Sequence, residues 1–205
     1  MDVVEQQLRS YYEVEADRHL RPQHGERRRR ICEAFAQQIA TDARRVIDVG
    51  AGPASDSEPF TSRGVGYVGV DLAFGNARLA ASADQTVIPG SLFNLPFPSS
   101  TFSAGWSMST FQHVPDDRID DALAEFVRVL TPGAPVAIGL WGGRDEIIDS
   151  VSSTSGIQLP RHFTLRTHPR IRSILDRHLD VRSEDTFPAN VSEWEYHVAS
   201  GATPR

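Results

Sequence analysis

Val46-Ile47-Asp48-Val49-Gly50-Ala51-Gly52-Pro53-Ala54 is the stretch whose reading decides the fold. Val46, Ile47 and Val49 suit a short strand covered on both faces. Gly50 and Gly52 let the backbone turn sharply and approach a ligand closely. A strand, a G-x-G turn and a helix form the nucleotide-cradling corner of open α/β sheets. Asp48 narrows the choice of nucleotide. A pyrophosphate would sit at this turn, against the helix N-terminus, and a carboxylate there would repel it. A cationic, phosphate-free ligand tolerates the acid. Ser55, at the sixth position of a would-be G-x-G-x-x-G, also disfavours a nicotinamide dehydrogenase.

The next strand, Gly66-Tyr67-Val68-Gly69-Val70-Asp71, again ends in an acid. A carboxylate at that tip can accept both hydroxyls of a ribose. S-adenosylmethionine is a nucleoside that carries a sulfonium and an ammonium and no phosphate. VIDVGAGPA followed by YVGVDLA resembles the first two motifs of the class I S-adenosylmethionine-dependent methyltransferases, and the resemblance continues through GSLFNLPFPSSTFSAGWSMSTFQHVPD and LTPGAPVAIGL. It covers residues 44–140. The fold it implies is α/β and Rossmann-like: a doubly wound seven-stranded sheet, mostly parallel with an antiparallel last strand, and helices on both faces.

The resemblance also implies a cofactor site. Asp48, Gly50 and Gly52 belong to its first motif, Asp71 and Leu72 to its second. Ser91 stands where the family usually has an aspartate for the adenine amino group, and Leu92 and Phe93 are placed to sandwich the ring, the alternative for Phe93 being plain core. Ala54 replaces the third glycine of the first motif, and alanine still permits close packing. Ser109 lies in the segment that runs beneath the methionine end. Arg30 is placed like the family arginine that reaches the methionine carboxylate, for which a bidentate pair is the physical motive. One of Tyr11 and Tyr12 closes over the cofactor, with Tyr12 taken as the candidate, or both simply pack. His113, just past the fourth strand, is the best-placed general base; the alternative is a residue that hydrogen-bonds locally and shapes its loop. His19 and His24 fall in the N-terminal segment that often covers the acceptor pocket in this family, whereas His162 and His168 read as surface.

The chain has 205 residues, one domain's worth. It divides into an N-terminal helical lid (1–43), a cofactor-binding core (44–140) and a variable loop with closing strands (141–205). A net charge of −6 argues against non-specific nucleic-acid binding. The lone cysteine, Cys32, fits a reducing cytoplasm, and no apolar run is long enough to span a bilayer. No histidine or acid spacing suggests a metal site. The expected partner is therefore a small-molecule methyl acceptor, with no nucleic acid and no membrane; a homodimer is allowed.

Residues 1–20 read as a helix whose apolar side is incomplete: Val3, Val4, Leu8, Tyr11 and Tyr12. Residues 26–40 make a second, with Ile31, Phe35 and Ile39 spaced by four and Ala34 beside them. Pro53 and the polar run after it predict a short, irregular helix ending near Arg63. Residues 116–130 give the clearest helix, and residues 142–165, with their serine cluster, read as a loop or short helix near the pocket mouth. The function these readings support is methyl transfer to a small molecule. The alternative is a non-catalytic binder of S-adenosylmethionine or S-adenosylhomocysteine on the same scaffold, motivated by Ser91.

Overall fold

A computed structural model describes residues 2–18, 25–40, 45–151, 156–189 and 194–205. Strands β1 (Arg45–Val49), β2 (Gly66–Asp71), β3 (Val87–Pro89), β4 (Ala104–Met108) and β5 (Pro135–Gly142) are mutually parallel. They join β8 (Asp180–Pro188) and β9 (Glu195–Ala202) in one seven-stranded sheet of order β3-β2-β1-β4-β5-β9-β8. β9, the last strand in the chain, runs antiparallel to β5 on one side and to β8 on the other. The order reverses at β1, which pairs with β2 on one edge and β4 on the other. The crevice outside the carboxyl ends of such strands is where ligands bind in open α/β sheets.

Alternation along β1 divides the core. Ile47 and Val49 face one apolar cluster and Val46 the other. On the first face, α5 (Ile119–Arg128) contributes Ile119, Leu123 and Phe126, and α6 (His168–Leu175) contributes Ile171, Ile174 and Leu175. On the second, α2 (Glu26–Gln38) supplies Cys32, Phe35 and Ala36, and α3 (Glu58–Thr61) supplies Phe60. Phe35 and Phe60 pack on the fully buried Trp106, with ring centroids 5.4 and 5.9 Å away. Each such aromatic pair contributes about 0.5–1.5 kcal/mol beyond its buried area.

Three elements differ from the sequence reading. The buried stripe of α2 is Cys32, Phe35, Ala36 and Ile39, whereas Ile31 is half-buried and Ala34 exposed. A spacing of four drifts off a face that turns every 3.6 residues, and 28, 32, 35 and 39 track that face more closely. α5 begins at Ile119, so Asp116 lies ahead of it and serves an ion pair instead. Residues 142–165 are not a loop: β6 (Glu146–Val151) and β7 (Pro160–Leu165) form an antiparallel hairpin. His162-Phe163-Thr164-Leu165 is good strand sequence, and the core of the serine cluster, residues 152–155, lies outside the described residues. α1 (Val3–Asp17) carries the capping box Asp2–Glu5 and docks on α4 (Phe74–Ser82) and β7. Glu13 of α1 accepts the backbone N–H groups of Phe74 and Gly75 at 2.6 and 2.8 Å, placing a carboxylate at the positive end of α4.

Candidate active site

The carboxyl ends of β1, β2, β3 and β4 open into a cleft of about 720 Å³, counting its mouth. That lies within the range of small-molecule sites, about 300–1,000 Å³. Gly50 follows β1 with φ +77°, a conformation that glycine adopts without cost. A Cβ there would sit 1.9 Å from the Thr110 hydroxyl, so the turn also needs glycine for space. Asp71 and Leu72 follow β2, Gly90 follows β3, and Ser109 and Thr110 follow β4; all line the cleft. Leu92 and Phe93 add an apolar wall, and Asp2, Val4, Glu5, Leu8 and Tyr12 of α1 and its cap form the side opposite the sheet.

Asp71 is already partly engaged. Its Oδ2 accepts the Gly52 N–H at 2.7 Å, and its Oδ1 accepts the Ala73 N–H and the Asn76 amide, each at 3.0 Å. An ionised carboxylate has about four acceptor positions, so these three bonds fix the side chain and leave capacity toward the cleft. Ser91 donates its hydroxyl proton to Glu5, which is buried at the cleft wall.

His113 lies in the 3₁₀ turn Phe111–His113 and is buried. Its Nδ1 is 2.6 Å from the carbonyl oxygen of His162. A carbonyl only accepts, so Nδ1 carries the proton and the neutral ring presents Nε2 as an acceptor. Nε2 lies 2.9 Å from the Tyr12 hydroxyl. The same hydroxyl accepts from Arg161 of β7, Nε at 3.0 Å and Nη2 at 2.7 Å. Burial works against the charge of Arg161, but Tyr12, Tyr11 and Glu15 outweigh it and hold the guanidinium above its ordinary pKa.

The comparisons agree with this geometry. Residues 47–138 match a protein family described as a methyltransferase domain. A demethylmenaquinone methyltransferase of Thermobifida fusca is 35% identical over 100 residues, 45% of this chain and 42% of that protein. An uncharacterized methyltransferase of Mycobacterium sp. strain JLS is 34% identical over 119 residues, 54% of this chain and 46% of its own. The chain thus spans less than half the length of these relatives. Among solved structures, the 1,6-didemethyltoxoflavin-N1-methyltransferase of Burkholderia thailandensis superposes with a TM-score of 0.75 at 18% identity, over 98% of this chain and 88% of that one. Its crystal contains 1,6-didemethyltoxoflavin and S-adenosylhomocysteine. Over residues 47–138 the chain is thus similar to a methyltransferase domain, and the sheet and cleft are those of the S-adenosylmethionine-dependent methyltransferase fold.

The cleft brings together Gly50, Asp71, Leu72, Leu92, Ser109, Tyr12 and His113. Four other candidates lie elsewhere. Gly52 stands behind the wall and acts through Asp71. Ser91 is turned to Glu5, beside the cleft. Asp48 is buried beneath the glycine turn, where its Oδ2 accepts the Tyr67 hydroxyl proton at 2.6 Å. Burial first, and then Asp56, push its carboxyl up to about 7. Its charge therefore faces the core rather than a bound nucleoside. Arg30 is on the surface, ion-paired to Glu26 one helical turn away. The inward arginine is Arg28, in phase with Cys32 and Phe35. Its Nε and Nη2 donate to Asp56 at 2.9 and 2.6 Å, and its Nη1 reaches the Ser109 hydroxyl at 3.5 Å. Helical phase from the buried stripe would have found it.

His162 is buried rather than exposed, with Nδ1 2.6 Å from Asp149 and Nε2 2.9 Å from the Thr164 hydroxyl. His168 stacks on His197. His19 and His24 lie outside the described residues. Two arginines escaped the sequence reading altogether: Arg161 and Arg166. The Arg166 side chain is 1% exposed; it pairs with Asp116 at 2.9 Å and donates to the carbonyls of Val114 and Thr164 at 2.7 and 3.1 Å. It clamps the turn that presents His113.

Proposed function

We propose that this chain transfers a methyl group from S-adenosylmethionine to a small-molecule acceptor bound beside Tyr12 and His113. When bound, the cofactor supplies a methyl carbon activated by an adjacent sulfonium. Its site fits the residues present: the remaining acceptor capacity of Asp71 suits the ribose hydroxyls, Leu72, Leu92 and Phe93 suit the adenine, and the Gly50 backbone and Ser109 suit the methionine end. α1 and its cap, which form the cleft wall, act as the lid that excludes water, while α2 packs against the sheet. The protein's main task is alignment, which contributes about 7–11 kcal/mol in well-oriented reactions.

The observation that carries the catalytic reading is the Tyr12–His113 contact at the cleft wall, backed by the His162 carbonyl. An acceptor hydroxyl or amine seated in place of the Tyr12 hydroxyl gives its proton directly to His113 Nε2. The acceptor's freed electron pair forms the new bond to carbon, and the carbon–sulfur pair stays on sulfur. The imidazolium keeps its Nδ1 proton on the His162 carbonyl and releases the other to solvent. A small acceptor is supported by the names of relatives: demethylmenaquinone methyltransferase, and a probable tocopherol O-methyltransferase of Oryza sativa 30% identical over 109 residues.

A radiolabelled transfer screen over phenols, amines and carboxylates tests this. Transfer is expected, and His113→Ala should lower kcat by about 10²–10⁴, the usual weight of general base catalysis, while S-adenosylhomocysteine affinity changes by less than about twofold. Tight cofactor binding with no transfer to any acceptor would favour the non-catalytic scaffold.

A further inference from the structure

Arg161 differs from the other inward-facing arginines. Arg28, Arg118, Arg128 and Arg166 each pair with a carboxylate. Arg161 has none within ion-pairing distance among the described residues, and its only acceptor there is the Tyr12 hydroxyl, which takes the protons of Nε and Nη2. A guanidinium has five N–H donors in a planar fork. The remaining ones are unspent in a half-buried position that is expensive for an unpaired charge. Rings flank the cation: its carbon lies 5.2 Å from the centroids of Tyr11 and Tyr12, 4.7 Å from Phe163 and 5.7 Å from Trp141.

Those rings continue as a wall leading away from the cleft. His113 packs on Phe163 at 4.7 Å, Phe163 stacks on Trp141 at 5.6 Å and 18°, and Trp194 lies 5.2 and 5.3 Å from Trp141 and Phe163. Trp141 and Trp194 are only half-buried. The Trp194 indole N–H is buried and finds no hydrogen-bond partner among the described residues. Among the described residues, an aromatic cluster, a planar cation without an ion-pair partner and an unsatisfied N–H thus lie near the proposed base.

We infer that the methyl acceptor is a planar aromatic molecule bearing an ionised oxygen, its ring on the Trp141–Phe163–Trp194 wall and its anion on the Arg161 fork. This rests on the cofactor and base assignment above, whose failure the test must register separately. Carboxylate and phenolate share the required chemistry: a flat anion that accepts two parallel N–H bonds.

Calorimetric titrations of S-adenosylhomocysteine-loaded protein with benzoate, 4-nitrophenolate and the neutral benzamide decide the matter. At least one anion should bind about tenfold or more tighter than benzamide, the weight of a charge-assisted hydrogen bond. Whichever anion leads names the source. Arg161→Met should level the three probes, Arg161→Lys should keep part of the preference, and S-adenosylhomocysteine affinity should stay within about twofold in both. Equal binding of benzoate, 4-nitrophenolate and benzamide to the unaltered protein would overturn the proposal whether or not the variants fold. So would loss of S-adenosylhomocysteine affinity in a folded Arg161→Met, which would give the guanidinium to the cofactor. Failure of S-adenosylhomocysteine to bind the unaltered protein would instead strike at the cofactor assignment.

Discussion

A carboxylate sealed beneath a turn makes stability depend on pH, and Asp48 is such a group. Burial and Asp56 raise its folded pKa from 3.8 to about 7. The folded state therefore holds a proton that the unfolded chain has released over that interval. Stability from this site is full below 3.8, falls as pH rises toward 7 and stays reduced above it. Asp48→Asn removes the titration. Urea unfolding at a series of pH values should show the variant gaining on the parent as pH rises, by a swing on the order of 4 kcal/mol. Parallel curves would show that Asp48 does not titrate in this interval. The residue type and position of Asp48 were legible in the sequence, and the direction of its side chain was not. The strand period puts Asp48 on the face of Val46, and only the partners Tyr67 and Asp56 show that this face is sealed. Arg28 was legible in principle, because its phase on α2 follows from Cys32, Phe35 and Ile39.

Among the elements, the turn Phe111–His113 depends most on distant support. Arg166 reaches it from the end of β7, across 50 residues to Asp116 and 52 to the Val114 carbonyl. No local pattern announces a partner so far away, which is why this arginine escaped notice. Arg166→Met leaves the Asp116 pairing halved and buried carbonyls unsatisfied, each costing about 1–3 kcal/mol. The expected loss is about 3 kcal/mol in chemical unfolding, with kcat falling more than the affinity for S-adenosylhomocysteine, since Asp71, Leu72 and Leu92 of the cofactor wall do not rest on the turn. An unchanged kcat would separate the clamp from catalysis. The hairpin β6–β7 was hidden for a related reason. Its strands pair with each other outside the main sheet, so one side lacks the apolar run of a buried strand, and the serine-rich stretch between them masked the pattern. β1, β2, β4 and β5 were readable because a parallel strand covered on both faces is apolar nearly throughout.

For the molecule as a whole, the position of the cleft follows from topology. The order reverses at β1, and the loops after β1, β2 and β4 converge there with α1 across from them. The ends of β1 and β2 were legible, since each is a glycine or acid after an apolar run, and Ser109 after β4 followed from the resemblance. The far wall was legible as a helix, but not the scattered polar contacts that seat α1: Asp2 to Arg118, Glu5 to Ser91, Glu13 to the start of α4, and Tyr12 to His113. On the proposed function, this cleft holds S-adenosylmethionine through Asp71. Calorimetric titration of S-adenosylhomocysteine into the parent and into Asp71→Asn, with thermal melts to confirm that both are folded, tests it most directly. The account predicts saturable binding to the parent, weakened about tenfold or more in the variant by loss of a charged acceptor. A folded Asp71→Asn that binds as tightly as the parent, or a parent that does not bind at all, would contradict it.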